Sequence, residues 1–196
     1  MRKIKAYLAA ITIVMLGATP VIAIGQSKAA APAATANPLK SLKTERDDMR
    51  GITWYQHPAT PKHANSNGFF LYFGKEDKGG FTALRLVARY YDDDWLFVTR
   101  AWAKADGVTV DVPQKADKLF GWERDNAAGG IWEWSDIAVI DPSEVAAVRT
   151  LANAKNVTVR YEGKQYYNDR KLSAQQLKAL QEVIGAYEAA TGKSWK

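Results

Sequence analysis

The chain has 196 residues, no cysteine and a formal net charge of +6. The absence of cysteine excludes a disulfide framework and a thiolate metal site. Three basic residues, Arg2, Lys3 and Lys5, stand at the N-terminus, and without them the charge falls from +6 to +3. This small excess, with no basic run interleaved with aromatic residues, argues against nucleic acid as a partner.

The N-terminus is typical of a secretory signal peptide. Its basic residues precede an apolar run that closes on residues 21–23, where a signal peptidase could cut. We therefore predict a signal peptide over residues 1–23, cleaved after Ala23, and export to the periplasm or the extracellular space. The alternative is a retained leader that anchors the chain in a membrane, since residues 6–24 nearly reach the length of a bilayer span.

The sequence after the leader divides into a spacer and one domain. Residues 24–38 are rich in alanine with scattered proline, serine and threonine, and contain almost nothing bulky to bury. Such a composition predicts a flexible spacer. Residues 39–196 have the length of a single domain with its own core.

Most of the domain is predicted to form strands, because aromatic and β-branched residues are dense and turn residues separate them. A weak amphipathic helix is expected at residues 39–51, before the first strand. Asp106-Gly107 is a strong signal for a two-residue hairpin turn, and Glu162-Gly163 is a weaker one. The predicted strands are 52–56, 68–73, 81–91, 95–105, 108–112, 130–140, 157–161 and 164–167.

Three consecutive aspartates, Asp92 to Asp94, stand between two of these runs. If residues 84–91 and 95–102 pair as a hairpin, the aspartates fall on its bend and bond to nearby backbone amides. A calcium loop needs spaced ligands, a glycine and a distant glutamate, and here a strand follows directly. We interpret the triplet as a solvated turn, with a cation site as the alternative.

Two helices are predicted near the C-terminus. Asp141 is the expected N-cap of the first, with proline at its first position. Ser173 and Gln176 form a capping box for the second, and Gly192 is placed to end it. Strands without long crossovers, together with apolar helix stripes, predict an α+β fold: an antiparallel sheet with helices packed on one face, in two layers.

The sequence contains no convincing catalytic, metal or cofactor motif. His57 and His63 lie in a proline-containing loop without a third nitrogen ligand. Serine, nucleotide and zinc signatures are absent from the sequence, so we expect no cofactor and no catalytic residue. A carboxylate mechanism on a glycan is the remaining enzymatic alternative, with candidate acids at Glu123, Asp125, Glu133 and Asp136.

Arginines and aromatic residues alternate along the central strands. In residues 84–91 the even positions are expected to face the core, which turns Arg85 and Arg89 outward. If the next strand aligns, Arg100 and Trp102 share that face and form a surface for a protein or an anionic ligand. The alternative is ordinary cross-strand pairing of these arginines with acids.

A long connection, residues 113–130, has no clear periodicity, and connections of this length are uncommon unless they bind something. Phe120 and Trp122 stand in it among charged residues, including Arg124. We predict an aromatic anchor with a polar rim for a partner. The alternative is that both rings fold back as a plug over one end of the sheet.

These observations favour a non-catalytic exported binding protein of a bacterial-type cell envelope, such as an inhibitor, an immunity or exclusion factor, or an accessory subunit. Its expected partner is another envelope protein or an anionic envelope ligand. Two further hypotheses are a small carboxylate-dependent glycan hydrolase and a structural envelope component.

Overall fold

The computed structural model of the protein describes residues 37–115, 121–127 and 129–196. The predicted leader, almost all of the predicted spacer, and Phe120 lie outside the described residues. The described residues belong to one unit, Ala36–Lys196. None of the helices in this part of the chain is long and apolar enough to cross a membrane.

The strands of the described residues form two antiparallel sheets. In spatial order, the six-stranded sheet contains β1 (Lys43–Asp47), β2 (Ile52–Gln56), β3 (Gly68–Glu76), β4 (Arg85–Asp92), β8 (Gly130–Ala138) and β7 (Glu123–Ala127). The four-stranded sheet contains β10 (Tyr167–Lys171), β9 (Val157–Glu162), β5 (Arg100–Ala105) and β6 (Val108–Asp111).

Two helices begin where the sequence predicts, and the second also ends at the predicted glycine. In α1 (Pro142–Asn153), Asp141 is the N-cap and Pro142 stands in the first turn. In α2 (Ala174–Thr191), Ser173 and Gln176 form the capping box, and Gly192 ends the helix in the left-handed conformation. These predictions are confirmed because each depends on a few neighbouring residues that satisfy the free backbone groups of a helix end.

The core brings both helices and both sheets into one apolar cluster. The Tyr187 ring of α2 packs edge-on against Phe73 of β3, with 5.2 Å between the ring centroids. Leu180 of α2 and Val148 of α1 are fully buried. The prediction of antiparallel sheet with helices is confirmed at this level, and the described residues are mostly β, with 41% of them in strands and 19% in helices.

The helix predicted at residues 39–51 is wrong. Residues 43–47 are β1, which pairs with β2 from Lys43↔Gln56 to Asp47↔Ile52. The short amphipathic pattern is overridden because the neighbouring strand offers its backbone hydrogen bonds. As a short, charged edge strand, β1 also discourages pairing with other chains.

The hairpin predicted around Asp92 to Asp94 is also wrong. β4 pairs with β3 and β8, whereas β5 pairs with β6 and β9, so the aspartates stand where the chain passes from one sheet to the other. Asp92 accepts hydrogen bonds from the Tyr90 hydroxyl at 3.1 Å and from Arg170 Nη2 at 2.7 Å. Its role is therefore structural, while Asp93 and Asp94 are exposed.

The hairpin predicted at Asp106-Gly107 is confirmed. Ala105 pairs with Val108, and both turn residues have positive φ, 46° and 89°. This is the geometry of the tight turn whose twist matches the flanking strands.

Leu180→Ala should reduce the free energy of unfolding by about 2–5 kcal/mol, because it removes a branched side chain from the core and leaves a cavity. Gln175→Ala, at an exposed position of the same helix, is the matched control and should change it by less than about 0.5 kcal/mol. Urea unfolding followed by circular dichroism measures both. Equal effects of the two substitutions would show that Leu180 faces water.

Candidate functional site

The outer face of the six-stranded sheet is the side that points away from the core. In β4, Leu86, Ala88 and Tyr90 are buried in the core cluster, and strand alternation places Arg85 and Arg89 on the opposite side. This outward placement of the two arginines agrees with the sequence prediction.

A groove of about 360 Å³ crosses this outer face. It runs over β1, β2, β3, β4 and β8, and it combines aromatic rings with acidic and basic side chains. This composition matches that of ligand sites, where apolar surface is combined with a few placed polar groups. The lining residues are Glu45, Arg50, Trp54, Gln56, Phe70, Tyr72, Val87, Arg89, Trp134 and Asp136.

Tyr72 and Asp136 of the groove form a closed cluster with the neighbouring Arg85. The Tyr72 hydroxyl donates to Asp136 Oδ2 at 2.7 Å, and Arg85 Nε donates to Asp136 Oδ1 at 2.9 Å. Burial and the hydrogen bond to Asp136 raise the pKa of the Tyr72 hydroxyl, so the phenol stays neutral. Both carboxylate oxygens of Asp136 are thus engaged within the protein.

Arg89 is held differently. Its Nε donates to the Ser66 carbonyl at 2.8 Å and its Nη2 to the His63 carbonyl at 3.0 Å. The guanidinium carbon lies 5.9 Å from the centre of the Phe70 ring. Burial lowers the pKa of the guanidinium from its ordinary value, because desolvation disfavours a charge. The chain uses two backbone carbonyls to position this cation and leaves it without a nearby carboxylate in the described residues.

Gly74 of β3 allows Trp54 to lie close to the sheet. A β-carbon at this position would lie 2.6 Å from Ile52 Cγ2 and 3.0 Å from Trp54 Cζ3. A side chain here would therefore push Ile52 aside and crowd the indole, which is one wall of the groove. The absence of a side chain at Gly74 is a requirement of the groove's shape.

Arg100 and Trp102 do not join this face, which corrects the prediction of a shared surface. They lie in the four-stranded sheet, because β4 and β5 are not neighbours. Arg100 pairs with Asp111, and Trp102 Nε1 donates to Glu162 Oε1 at 2.7 Å. The Arg100 ion pair is a cross-strand pair of the kind that the alternative expected for the arginines.

Trp122 is buried, with 4% of its surface exposed. Its Nε1 donates to Gln114 Oε1 at 3.1 Å, and its ring packs edge-on against Tyr161 at 5.8 Å between centroids. The prediction of a solvent-exposed anchor at Trp122 is therefore wrong. Its ring folds back into the protein, as the alternative expected. The physical reason is that the indole finds both an apolar pocket and a hydrogen-bond partner for its N–H.

Arg124 follows in β7, and it pairs with the buried Glu133 of β8 at 2.9 Å. The Glu133 carboxylate also accepts the backbone N–H groups of Leu96, Phe97 and Val98, at 2.9, 2.8 and 2.7 Å. Arg124 is thus engaged inside the protein, so it does not form part of an exposed rim.

This contact fixes an unusual backbone at Phe97. Its φ is 53°, a conformation that is uncommon for a bulky side chain. The ring is 47% exposed and stacks on Trp95 with 5.9 Å between centroids. The hydrogen bonds to Glu133 offset the cost of this conformation.

The acids considered for a hydrolase are distributed as follows. Glu133 points into the core, whereas strand alternation places Glu123, Asp125 and Asp136 on the outer side of β7 and β8. Glu123 pairs with Lys115 at 2.7 Å. Within the described residues, no group of three His, Cys, Asp or Glu side chains could hold a metal ion.

Sequence reasoning missed four aromatic residues of the groove, Trp54, Phe70, Tyr72 and Trp134. One signal could have identified them. In residues 68–73 and 130–138, aromatic or apolar residues occupy odd and even positions alike. A strand with large apolar groups on both faces is not an ordinary half-solvated strand.

Comparisons of this chain with protein-family models, with curated proteins and with solved structures find no match.

Glu133→Gln should reduce the free energy of unfolding by about 3–5 kcal/mol, because it leaves the Arg124 charge and backbone N–H groups without their carboxylate. Glu123→Gln, which alters a partly exposed ion pair of the neighbouring strand, should cost less than about 1 kcal/mol. Chemical denaturation of both variants measures the difference. Similar losses would contradict a structural role for the buried carboxylate.

Proposed function

We propose that this chain is an exported, non-catalytic binding protein of the cell envelope, and that it binds its ligand in the groove. The observation that carries the proposal is the outer face itself. An antiparallel sheet normally carries polar side chains on its solvated side. Here Trp54, Phe70, Tyr72 and Trp134 are only half-buried, and partly exposed apolar surface of this kind marks interaction sites.

The proposal includes a two-layer arrangement, in which helices cover the inner side of the six-stranded sheet and the groove lies on the other. The packing of Tyr187 on Phe73 supports it. So does the alternation in β3, where Phe69, Leu71 and Phe73 are buried while Phe70 and Tyr72 line the groove. A rigid, fully paired sheet would hold the ligand-binding side chains in fixed positions.

A small glycan hydrolase is the second candidate. The observation in its favour is that Glu123 and Asp136 occupy diagonal positions of β7 and β8, on the same side of the sheet. Against it stand the contacts of the two acids, since Asp136 is held by Tyr72 and Arg85 and Glu123 by Lys115. A hydrolase would release shortened products from a glycan that it binds, whereas a binding protein would not.

Export is tested on the full chain with a C-terminal tag, produced in a bacterial host with an outer membrane. We expect the protein in the periplasm or the medium with Ile24 as its first residue, because the cleavage signal closes on Ala23. Cell fractionation and N-terminal sequencing measure this. An intact N-terminus in the membrane fraction would indicate an anchor, and an intact chain in the cytoplasm would contradict export.

Binding is tested with the purified protein and isolated envelope material, by co-sedimentation. Trp134→Ala should weaken binding by about tenfold or more, as expected for an aromatic anchor. Trp102→Ala is the matched control, because it removes a half-buried tryptophan from the other sheet. Circular dichroism checks that both variants are folded. Weakening by Trp102→Ala alone would move the binding surface to the four-stranded sheet and contradict the proposal.

A further inference from the structure

We propose that the ligand of the groove is an acidic glycan, a chain of sugar rings that carries carboxylate groups. Arg89 pairs with a carboxylate, and the aromatic side chains of the groove pack against the faces of the sugar rings. This inference rests on the proposed function, because it assumes that the groove is the binding surface.

The first observation in favour of an acidic ligand is that Arg89 lacks an acidic partner in the part of the chain that the structure describes. Every other arginine in the described residues makes an ion pair with an aspartate or a glutamate, and Arg89 makes none. A guanidinium has five N–H donors, and in Arg89 only two of them reach the Ser66 and His63 carbonyls. The paired arginines are Arg46, Arg50, Arg85, Arg100, Arg124, Arg149, Arg160 and Arg170.

The surroundings of Arg89 leave its remaining donors for a ligand. Its neighbours across the two adjacent strands are Gly68 and Trp134. A β-carbon at Gly68 would lie 3.3 Å from Arg89 Nη2, so a side chain there would crowd the guanidinium. A planar cation with free donors on an aromatic-lined surface matches a carboxylate, which accepts two parallel N–H bonds.

The acids of the groove do not neutralise Arg89. Both oxygens of Asp136 are already engaged by Tyr72 and Arg85. Glu45 lies at the other end of the groove, roughly 25 Å from Arg89, because six strand residues and three strand spacings separate the two positions. At that distance salt screens the interaction, since the Debye length is about 8 Å at physiological ionic strength.

The position of the groove favours a glycan over an extended peptide. β3 and β4 are paired on both sides, so a peptide lying across them could not pair with either as a new strand. Its amide groups would instead lie on aromatic rings without partners, which is unfavourable. A sugar ring presents an apolar face to an aromatic ring while its hydroxyl groups point sideways to water and to polar side chains such as Gln56 and Glu45.

The size of the aromatic surface also fits a chain of several rings. Trp54 lies in β2 and Trp134 in β8, with β3 and β4 between them. Three strand spacings and six residues along the strands separate these tryptophans, roughly 25 Å in all. Phe70 and Tyr72 stand between them on β3, and their ring centroids are 6.4 Å apart. The groove thus presents successive aromatic contacts to one extended ligand.

The test uses the purified full-length protein and two uronic-acid oligosaccharides, one of galacturonate and one of alternating glucuronate and N-acetylglucosamine. Titration calorimetry compares each with its carboxyl-reduced, neutral counterpart. At least one acidic form should bind about tenfold or more tightly than its counterpart, and the advantage should shrink at high salt. Equal affinity of acidic and neutral forms would overturn the inference.

Three variants locate the charge recognition. Arg89→Gln should remove the preference for the acidic form, Arg89→Lys should retain part of it, and Arg100→Gln, on the other sheet, should retain all of it. Because Arg89 also bonds to two carbonyls, thermal unfolding of each variant is compared with that of the unmodified protein. An undiminished preference in a folded Arg89→Gln variant would overturn the inference.

Two further outcomes separate this inference from the proposed function. Equally tight binding of an oligo-glutamate peptide would show recognition of acidic protein and overturn the glycan assignment. Failure of both oligosaccharides to bind, while envelope material is still captured in a Trp134-dependent way, would overturn the ligand class and leave the binding function standing. Capture of envelope material that is unchanged by Trp134→Ala would instead contradict the proposal that the groove is the binding surface.

Discussion

The buried carboxylate of Glu133 holds the segment that connects the two sheets. It accepts three consecutive backbone N–H groups, those of residues 96–98, and it pairs with Arg124. The chain crosses from the six-stranded to the four-stranded sheet in this segment, so the acceptor stands where regular strand pairing is interrupted. Without it, buried N–H groups would lack partners, which costs free energy comparable to that of lost hydrogen bonds.

The same constraint shapes the surface. Residues 96–98 bond to the carboxylate in the segment that leads from β4 to β5, and these two strands lie in different sheets. Arg85 and Arg89 remain on the outer face of one sheet, and Arg100 and Trp102 go to the other. The other arginines of the described residues pair with aspartates or glutamates of the same chain, whereas Arg89 is positioned by carbonyl groups. This difference leaves Arg89 as the cation suited to an external anion.

The outer face combines rigidity with aromatic character. Its central strands are fully paired, and Asp136 with Tyr72 and Arg85 cross-links β3, β4 and β8 through side chains. Such a network reduces the rearrangement that a ligand must induce, which favours binding through pre-organisation. The same contacts occupy both oxygens of Asp136, which a hydrolase would need for its substrate. For this reason the groove supports the proposal of binding better than that of catalysis.

Local signals in the sequence predicted the parts of the structure that local interactions determine. The caps of α1 and α2, the turn at Asp106-Gly107 and the alternation that places Arg85 and Arg89 outward each depend on neighbouring residues. The interactions that determine these features lie within a few residues of each other, so they can be predicted without knowing how distant parts of the chain fold. The antiparallel character of the strands followed from the short connections in the same way.

Tertiary structure decided what depends on partners far along the chain. β1 is a strand because β2 lies beside it, and the pairing of residues 84–91 could not be read from their own pattern. Trp122 is buried because its N–H donates to Gln114 and its ring packs against Tyr161. Glu133 has a structural role because its carboxylate accepts backbone N–H groups of residues 96–98. The groove likewise joins side chains of five strands. Hydrophobic burial and satisfaction of buried polar groups act through space, so sequence spacing alone does not reveal them.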